Sequence, residues 1–206
     1  MRTTKSAVNP NPNELWQGYE EDGEPITTHG IPIHHAAKGV LHGSAHLWIY
    51  RVKNGRLEVL LQKRSAQSKT WPNFYDTSAA GHLNFNETPL TAALRETKEE
   101  LGIQIAPESV RLLFLHRQEL RYAPARIIEN ELQWVYGFDA TNTPHFTLES
   151  SEVKSVLWVN LGGLSRLIRG NVTGMHIVPH DAAYFTELLR ELLELKREYH
   201  GHQSAG

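Results

Sequence analysis

The chain has 206 residues, 40% hydrophobic and 21% charged, enough for one well-buried core and too few for two large domains. Its formal charge of -2 and pI near 6.6 offer no basic field for counterion-driven binding to nucleic acid or to an anionic membrane, so neither is expected as a partner. Cysteine is absent, which excludes disulfides, zinc–thiolate sites and a thiol nucleophile.

Residues 1–29, with NPNPN, EEDGEP and few apolar positions, read as a loosely ordered leading segment. The start lacks the apolar centre of a secretory signal, and no window approaches the roughly 20 apolar residues of a membrane span; a cytoplasmic location is expected. Residues 30–200 are expected to form one domain, with residues 201–206 as a tail. HLWIYRV and LEVLLQKR, joined across Asn54-Gly55, predict a β-hairpin. SAQSKTWPNFYDTSAAG reads as an irregular loop running into a short strand that ends at Gly81. Further on, SVRLLFLHRQEL, ELQWVYGF and SVLWVNL predict strands, and LGGLSRLIRG a short helix. The last element, AAYFTELLRELLELKREYH, is a long helix with leucines at 188, 189, 192, 193 and 195. It either packs on the domain or mediates a homodimer.

Between the loop and the later strands lies GHLNFNETPLTAALRETKEELGI. Thr88 before Pro89 predicts a helix start, and Gly102 its stop. At 100° per residue, Leu90, Leu94, Thr97 and Leu101 fall within about 60° of one another, with Glu96, Glu99 and Glu100 on the far side. Such a face is ordinarily a solvated one. Here, however, three acids crowd into five residues with Arg95 alone as a partner, so they repel one another unless a cation sits among them. Carboxylates are the preferred ligands of magnesium, which is commonly shared with substrate phosphates.

The stretch resembles the signature of the Nudix superfamily. Its fixed positions fall at Gly81, Glu87, Arg95, Glu96, Glu99, Glu100, Gly102 and Ile103 with the spacing intact. The one departure is Thr97, where an aliphatic residue is usual; its hydroxyl is expected to bond back to the carbonyl of residue 93. The resemblance implies an α/β fold, the Nudix α/β/α sandwich with a central mixed sheet. A second resemblance, to type I isopentenyl diphosphate isomerases of the same superfamily, rests on His35, His42 and Trp48, on Trp71-Pro72, on Gly81-His82 and on Glu129-Asn130-Glu131. It implies a second metal cage of His35, His42, His82, Glu129 and Glu131, with nitrogen ligands favouring Zn²⁺ or Mn²⁺. The isomerase pattern has a cysteine directly before the Gly-His pair; this chain has Ala80 there, which exchanges no proton. Those isomerases also tend to carry an arginine where this chain has Glu96.

An isomerase-like frame with a complete hydrolytic set therefore predicts Mg²⁺-dependent cleavage of a small organic diphosphate of prenyl, nucleoside or thiamine type, with Mn²⁺ as the alternative ion. Glu96, Glu99 and Glu100 are the expected metal ligands, Glu87 an indirect ligand or a loop anchor, and Arg95 an orienting cation. Arg64, Lys69 and Trp71 are the expected substrate contacts. Trp48 is expected in the core. The alternatives are a diphosphate-binding regulatory module without turnover and, third, a residual isomerase.

Overall fold

The computed structural model describes residues 14–142 and 145–204. In chain order the elements are β1 (Leu15–Trp16), β2 (Ile31–Pro32), α1 (Ile33–Ala36), β3 (His42–Lys53), β4 (Arg56–Arg64), β5 (Tyr75–Asp76), β6 (Ala79–His82), α2 (Pro89–Leu101), β7 (Val110–Tyr122), β8 (Ile127–Asp139), β9 (Val153–Asn160), α3 (Leu161–Ile168) and α4 (Ala182–Ser204). Asn54 and Gly55 both take positive φ, 51° and 68°, which closes the β3–β4 hairpin with Lys53 opposite Arg56. That is the turn an Asn-Gly pair favours, because its twist matches that of the strands.

The main sheet runs β5-β4-β3-β8-β7, with β6 added to β3 and β9 to β4. β3 and β8 are parallel and the other pairs antiparallel, so the sheet is mixed as expected. Strand alternation sorts the core into two layers. Trp48, Val59, Leu61 and Val135 face Leu164 and Leu167 of α3 and Tyr184, Leu188 and Leu192 of α4. Leu47, Ile49, Leu60 and Tyr136 point the other way, against Ala92, Ala93 and Leu101 of α2. The outcome is helix, sheet, helix. Leu188, Leu192 and Leu195 of α4 are buried on the domain while Leu193 is exposed, and Trp48 is fully buried. Among the described residues no helix is long and apolar enough to cross a membrane.

Two boundaries differ from expectation. Residues 14–29 pack on the domain, although their composition reads as loose. Trp16 and Tyr19 are buried, Gln17 N donates to Leu83 O at 2.8 Å, and Gln17 Oε1 accepts from Asn86 N at 3.0 Å. Few apolar residues suffice here because backbone pairing to the main domain supplies the rest. Residues 1–13 lie outside the described residues. α4 continues to Ser204, past the boundary at residue 200, and residues 205–206 lie outside the described residues.

Candidate active site

Helix α2 begins and ends where its sequence says. Thr88 Oγ1 accepts from Thr91 N at 3.3 Å, Pro89 occupies the first turn, and Gly102 closes the helix at φ 69°. Thr97 is buried and donates its hydroxyl to Ala93 O at 2.7 Å. The acidic side is not a solvated face, however. Glu100 is only 6% exposed, with Oε2 accepting from Ala80 N at 3.1 Å and Gln62 Nε2 at 3.4 Å. Glu96 rests against β6 at Gly81, where a Cβ would fall on its carboxylate and displace it.

A third acid arrives from far along the chain. The amides of Thr147 and Glu149 donate to Leu101 O and Glu100 O at 2.8 and 3.0 Å, satisfying carbonyls that the helix end leaves free. This docking brings Glu152 to Glu96 and Glu100, and ligand atoms of the three lie within 4.8 Å of one another. Glu152 carries no motif and sits 49 or more positions from the signature's end; no local signal in the sequence marks it. Burial raises Glu96 to about 7 against the pull of Arg95, with Glu99 and Glu152 adding to the rise. Burial, then Glu96 and Glu152, push Glu100 well above the carboxylate range, and Glu152 is raised by burial and by Glu99.

Glu99 and Glu87 stand outside this cluster. Glu99 is 58% exposed and reaches only Arg95, at 3.4 Å. Both Glu87 oxygens are held by Arg95, through Nε and Nη2 at 2.9 Å each, and Oε2 also accepts from Asn84 N at 2.8 Å. Burial opposes ionisation of Glu87, but Arg95 and the Asn84 amide outweigh it and hold its pKa low. These bonds tie Glu87 to the loop at Asn84 and to α2 at Arg95. Arg95 completes the joint by donating to Glu96 Oε1 at 2.6 Å and His82 O at 3.0 Å. A guanidinium fork is suited to this, since it binds one carboxylate through two nitrogens and still reaches others.

The second cluster is built from strand register. His42 lies opposite Glu131 across β3 and β8, and His82 opposite Ser44 across β6 and β3. Glu129 follows on the same face of β8, two residues before Glu131. His42, His82, Glu129 and Glu131 bring ligand atoms within 4.8 Å of one another. His35 is not among them. It sits exposed on α1, its ring 4.3 Å from that of His34, because buried Ala36 anchors the short helix and turns both imidazoles outward. The nearest ring is Trp16, stacked on His82 at 3.6 Å and 12°. His42 Nδ1 donates to Val40 O at 2.7 Å, which directs Nε2 toward the carboxylates of β8. Nε2 is buried without a hydrogen bond, as is Glu129 Oε2, 3.6 Å away. Burial works against charge on His82, but Glu129 and Glu131 raise it to about 10. Burial likewise disfavours ionised Glu129 and Glu131; His42 and His82 bring Glu129 down to about 2, and His82 and His42 hold Glu131 well below the usual range.

The two clusters share one opening. A groove of about 430 Å³ runs past Glu96, Glu100 and Glu152, and an adjoining cavity of about 110 Å³ lies beside Glu131. Arg64, Thr70, Gly81, His82 and Glu129 line both. Arg64 donates to Asp76 Oδ2 at 3.1 Å and to Thr70 O and Oγ1 at 3.1 and 3.2 Å, so its head is held in place at the junction. Lys69 is exposed on the groove wall. Trp71 lines the cavity at φ 49°, its ring 4.9 Å from Tyr122. Deeper in, Tyr184 OH joins His46 Nδ1 and Trp48 Nε1 at 2.9 Å each. Burial, with His180 adding, lowers His46 to about 4, and it is neutral.

A mixed sheet lies between helices, and Glu96, Glu100 and Glu152 gather in a groove that also carries Arg64 and Lys69, an arrangement suited to hydrolysis of pyrophosphate bonds. The comparisons agree. The NUDIX domain model matches residues 41–179, and the chain belongs to that family. It is 34% identical over 124 residues to Nudix hydrolase 3 of Arabidopsis thaliana, covering 59% of this chain but only 16% of that protein. It is 30% identical over 133 residues to an isopentenyl-diphosphate Delta-isomerase of Escherichia coli, covering 64% of this chain and 69% of that one. A solved structure from Deinococcus radiodurans matches with a TM-score of 0.63 at 18% identity, over 87% of this chain and 99% of the other, which shows the fold. The isomerase-like branch of the superfamily is thus present alongside its hydrolases.

Proposed function

We propose that the protein is a Mg²⁺-dependent diphosphohydrolase acting on a small organic diphosphate, with Mn²⁺ as the alternative ion. The observation that carries this reading is the Glu96–Glu100–Glu152 cluster. Three carboxyl groups within 4.8 Å, partly protonated because burial and mutual repulsion disfavour their charges, are a site that a divalent cation relieves. Glu96, Glu100 and Glu152 would hold the ion there. When bound, it neutralises diphosphate charge and lends Lewis acidity to the attack of water at phosphorus.

The chain's own groups do the remaining work. Arg95 clamps Glu87 and Glu96, fixing the loop of residues 84–87 and one ligand at once. Arg64, anchored by Asp76 and Thr70, presents charge to the phosphates from the opposite wall, with Lys69 nearby. Any of the cluster carboxylates raised toward neutrality is poised to accept the proton of the attacking water. His42, His82, Glu129 and Glu131 would hold a second ion, Zn²⁺ or Mn²⁺. The orphaned His42 Nε2 and Glu129 Oε2 fit that use, and each is costly to bury unmet. Isomerisation is disfavoured, because Ala80 offers only its amide, and that amide serves Glu100.

The test is release of phosphate or pyrophosphate from isopentenyl, nucleoside and thiamine diphosphates, with and without Mg²⁺, beside Glu100→Gln. Mg²⁺-dependent release from one class, lost in the variant, is the expected result. Undiminished turnover by Glu100→Gln, or silence of folded protein across the panel, would remove the reading and leave a binding module.

A further inference from the structure

Residues 15–19 form a strap across the place where β3 and the chain leaving β6 part, with Trp16 bridged to Asn84 and Gly18 to His42. Leu83 N still donates to Gly43 O there, at 3.0 Å. Gln17 then takes over both edges: its N donates to Leu83 O at 2.8 Å, and its O accepts from Gly43 N at 2.9 Å. Each of those bonds falls one residue beyond a histidine of the second cluster, His82 or His42. The approach is close. A Cβ on Gly43 would stand 2.8 Å from Tyr19 and 3.0 Å from Leu83, and one on Gly18 would strike Ile31.

The Gln17 side chain reaches toward the first cluster. It is 5% exposed, and its Nε2 donates to Gly18 O and Ile26 O at 2.9 Å each. Those two carbonyls fix the amide's orientation, so that Oε1 faces Asn86 N and accepts from it at 3.0 Å. Asn86 holds φ 65°, in the left-handed region that a residue with a side chain keeps only where its surroundings hold it. From this turn the bonds run on to Glu96. Asn84 N donates to Glu87 Oε2 at 2.8 Å, both Glu87 oxygens accept from Arg95, and Arg95 donates to Glu96 Oε1 at 2.6 Å.

We propose that Gln17 is a positioning residue for the Glu96–Glu100–Glu152 cluster, acting through the Asn86 amide, the turn of residues 84–87 and the Arg95 fork. The proposal rests on reading that cluster as the metal site, and it adds the part of the chain that sets one of its ligands. Gln17 touches neither ion nor substrate. Its acceptor holds Asn86, the held turn keeps Glu87 against Arg95, and the guanidinium keeps the Glu96 carboxylate in one orientation. Support of this kind behind a ligand is worth about 10- to 100-fold in metal affinity. The two ends of the amide have different tasks: the donors tie residue 18 to residue 26, and the acceptor serves the turn.

Mg²⁺ titration by calorimetry tests this, the cluster's share being the binding that Glu100→Gln loses. Gln17→Met keeps length but removes acceptor and donors, and is expected to weaken that binding about tenfold or more. Gln17→Glu restores an acceptor but not the two amide donors. Its affinity is expected to return to within about threefold of wild type, while its thermal stability stays below wild type. Leu167→Ala, in the buried layer on the other face of the sheet, destabilises the fold without touching the turn, and is expected to leave Mg²⁺ affinity unchanged. Undiminished affinity in Gln17→Met, no recovery in Gln17→Glu, or an equal loss in Leu167→Ala overturns the positioning role and leaves the metal site standing. If Gln17→Met does not unfold cooperatively, hydrogen exchange of the Asn86 amide in wild type decides. Slower exchange with saturating Mg²⁺ is expected by reciprocity, and exchange indifferent to Mg²⁺ overturns the proposal. Absence of cluster binding in wild type removes the metal reading and the positioning role with it.

Discussion

The two acidic clusters on either side of β6 are both built to hold charge, yet they are balanced in opposite ways. Glu96, Glu100 and Glu152 share one sign, and burial with mutual repulsion drives Glu96 to about 7 and Glu100 higher still. Glu129 and Glu131 have His82 between them, which is raised to about 10 while they are lowered. The first cluster consists of acids alone; the second carries imidazoles among its acids. Desolvation acts on both; Arg95 meets Glu96 at 2.6 Å, but burial and the neighbouring acids outweigh it, whereas His82 stands 3.8 and 3.2 Å from Glu129 and Glu131 and prevails there.

The largest test of that contrast is catalytic. Glu100→Gln keeps the bonds from Ala80 and Gln62 in shape but removes a ligand charge, and turnover is expected to fall on the order of 10³-fold. His42→Gln, in the other cluster, is expected to abolish retention of Zn²⁺ or Mn²⁺, with a smaller loss of turnover; metal analysis beside the assay separates the two. Equal losses would erase the distinction.

Acid stability probes the buried histidine next to the second cluster. His46 has a folded pKa of about 4, below the unfolded value of 6.5, so the unfolded chain takes up the proton first as pH falls. Its contribution is complete above pH 6.5 and is lost as pH falls toward 4, a change of about 3 kcal/mol. Denaturant titrations at several pH values are expected to show wild type losing that much more than His46→Gln over this window.

Metal affinity tests the first cluster directly. Glu96 and Glu100 must each release a proton to bind a cation, so Mg²⁺ affinity is expected to rise with pH by roughly 100-fold per unit below 7, a factor of ten for each proton. Calorimetry in buffers of different ionisation enthalpy reads the released protons; a pH-independent affinity would mean that the carboxylates are already ionised. The smallest effect is structural. Arg95→Lys keeps the charge but loses the fork on Glu87, and because Arg95 is 25% exposed the expected cost is only about 1 kcal/mol in the midpoint of unfolding.

How far the sequence announced these clusters follows from how each is assembled. Helix α2 was legible from Thr88 to Gly102, cap and stop included, because helical spacing and capping are local. Local spacing also placed Glu96 and Glu100 on one side. It did not separate them from Glu99, which is 58% exposed, or from Glu87, whose two oxygens both accept from Arg95. For the second cluster, alternation along His42-Gly43-Ser44 and Glu129-Asn130-Glu131 was visible, and four of the five expected ligands meet. His35 was drawn in by the isomerase resemblance and lies exposed on α1 beside buried Ala36, away from the other four.

What the sequence determined by itself was the set of elements: a hairpin closed by Asn54-Gly55, a capped acidic helix and a leucine-striped α4, each marked by patterns within a few residues. Only the tertiary structure decided that Glu152 joins the helix acids, that Trp16 lies on His82, and that Gln17 meets Asn86. Those partners lie tens of residues apart, and their meeting depends on strand register and loop docking, which no spacing along the chain encodes.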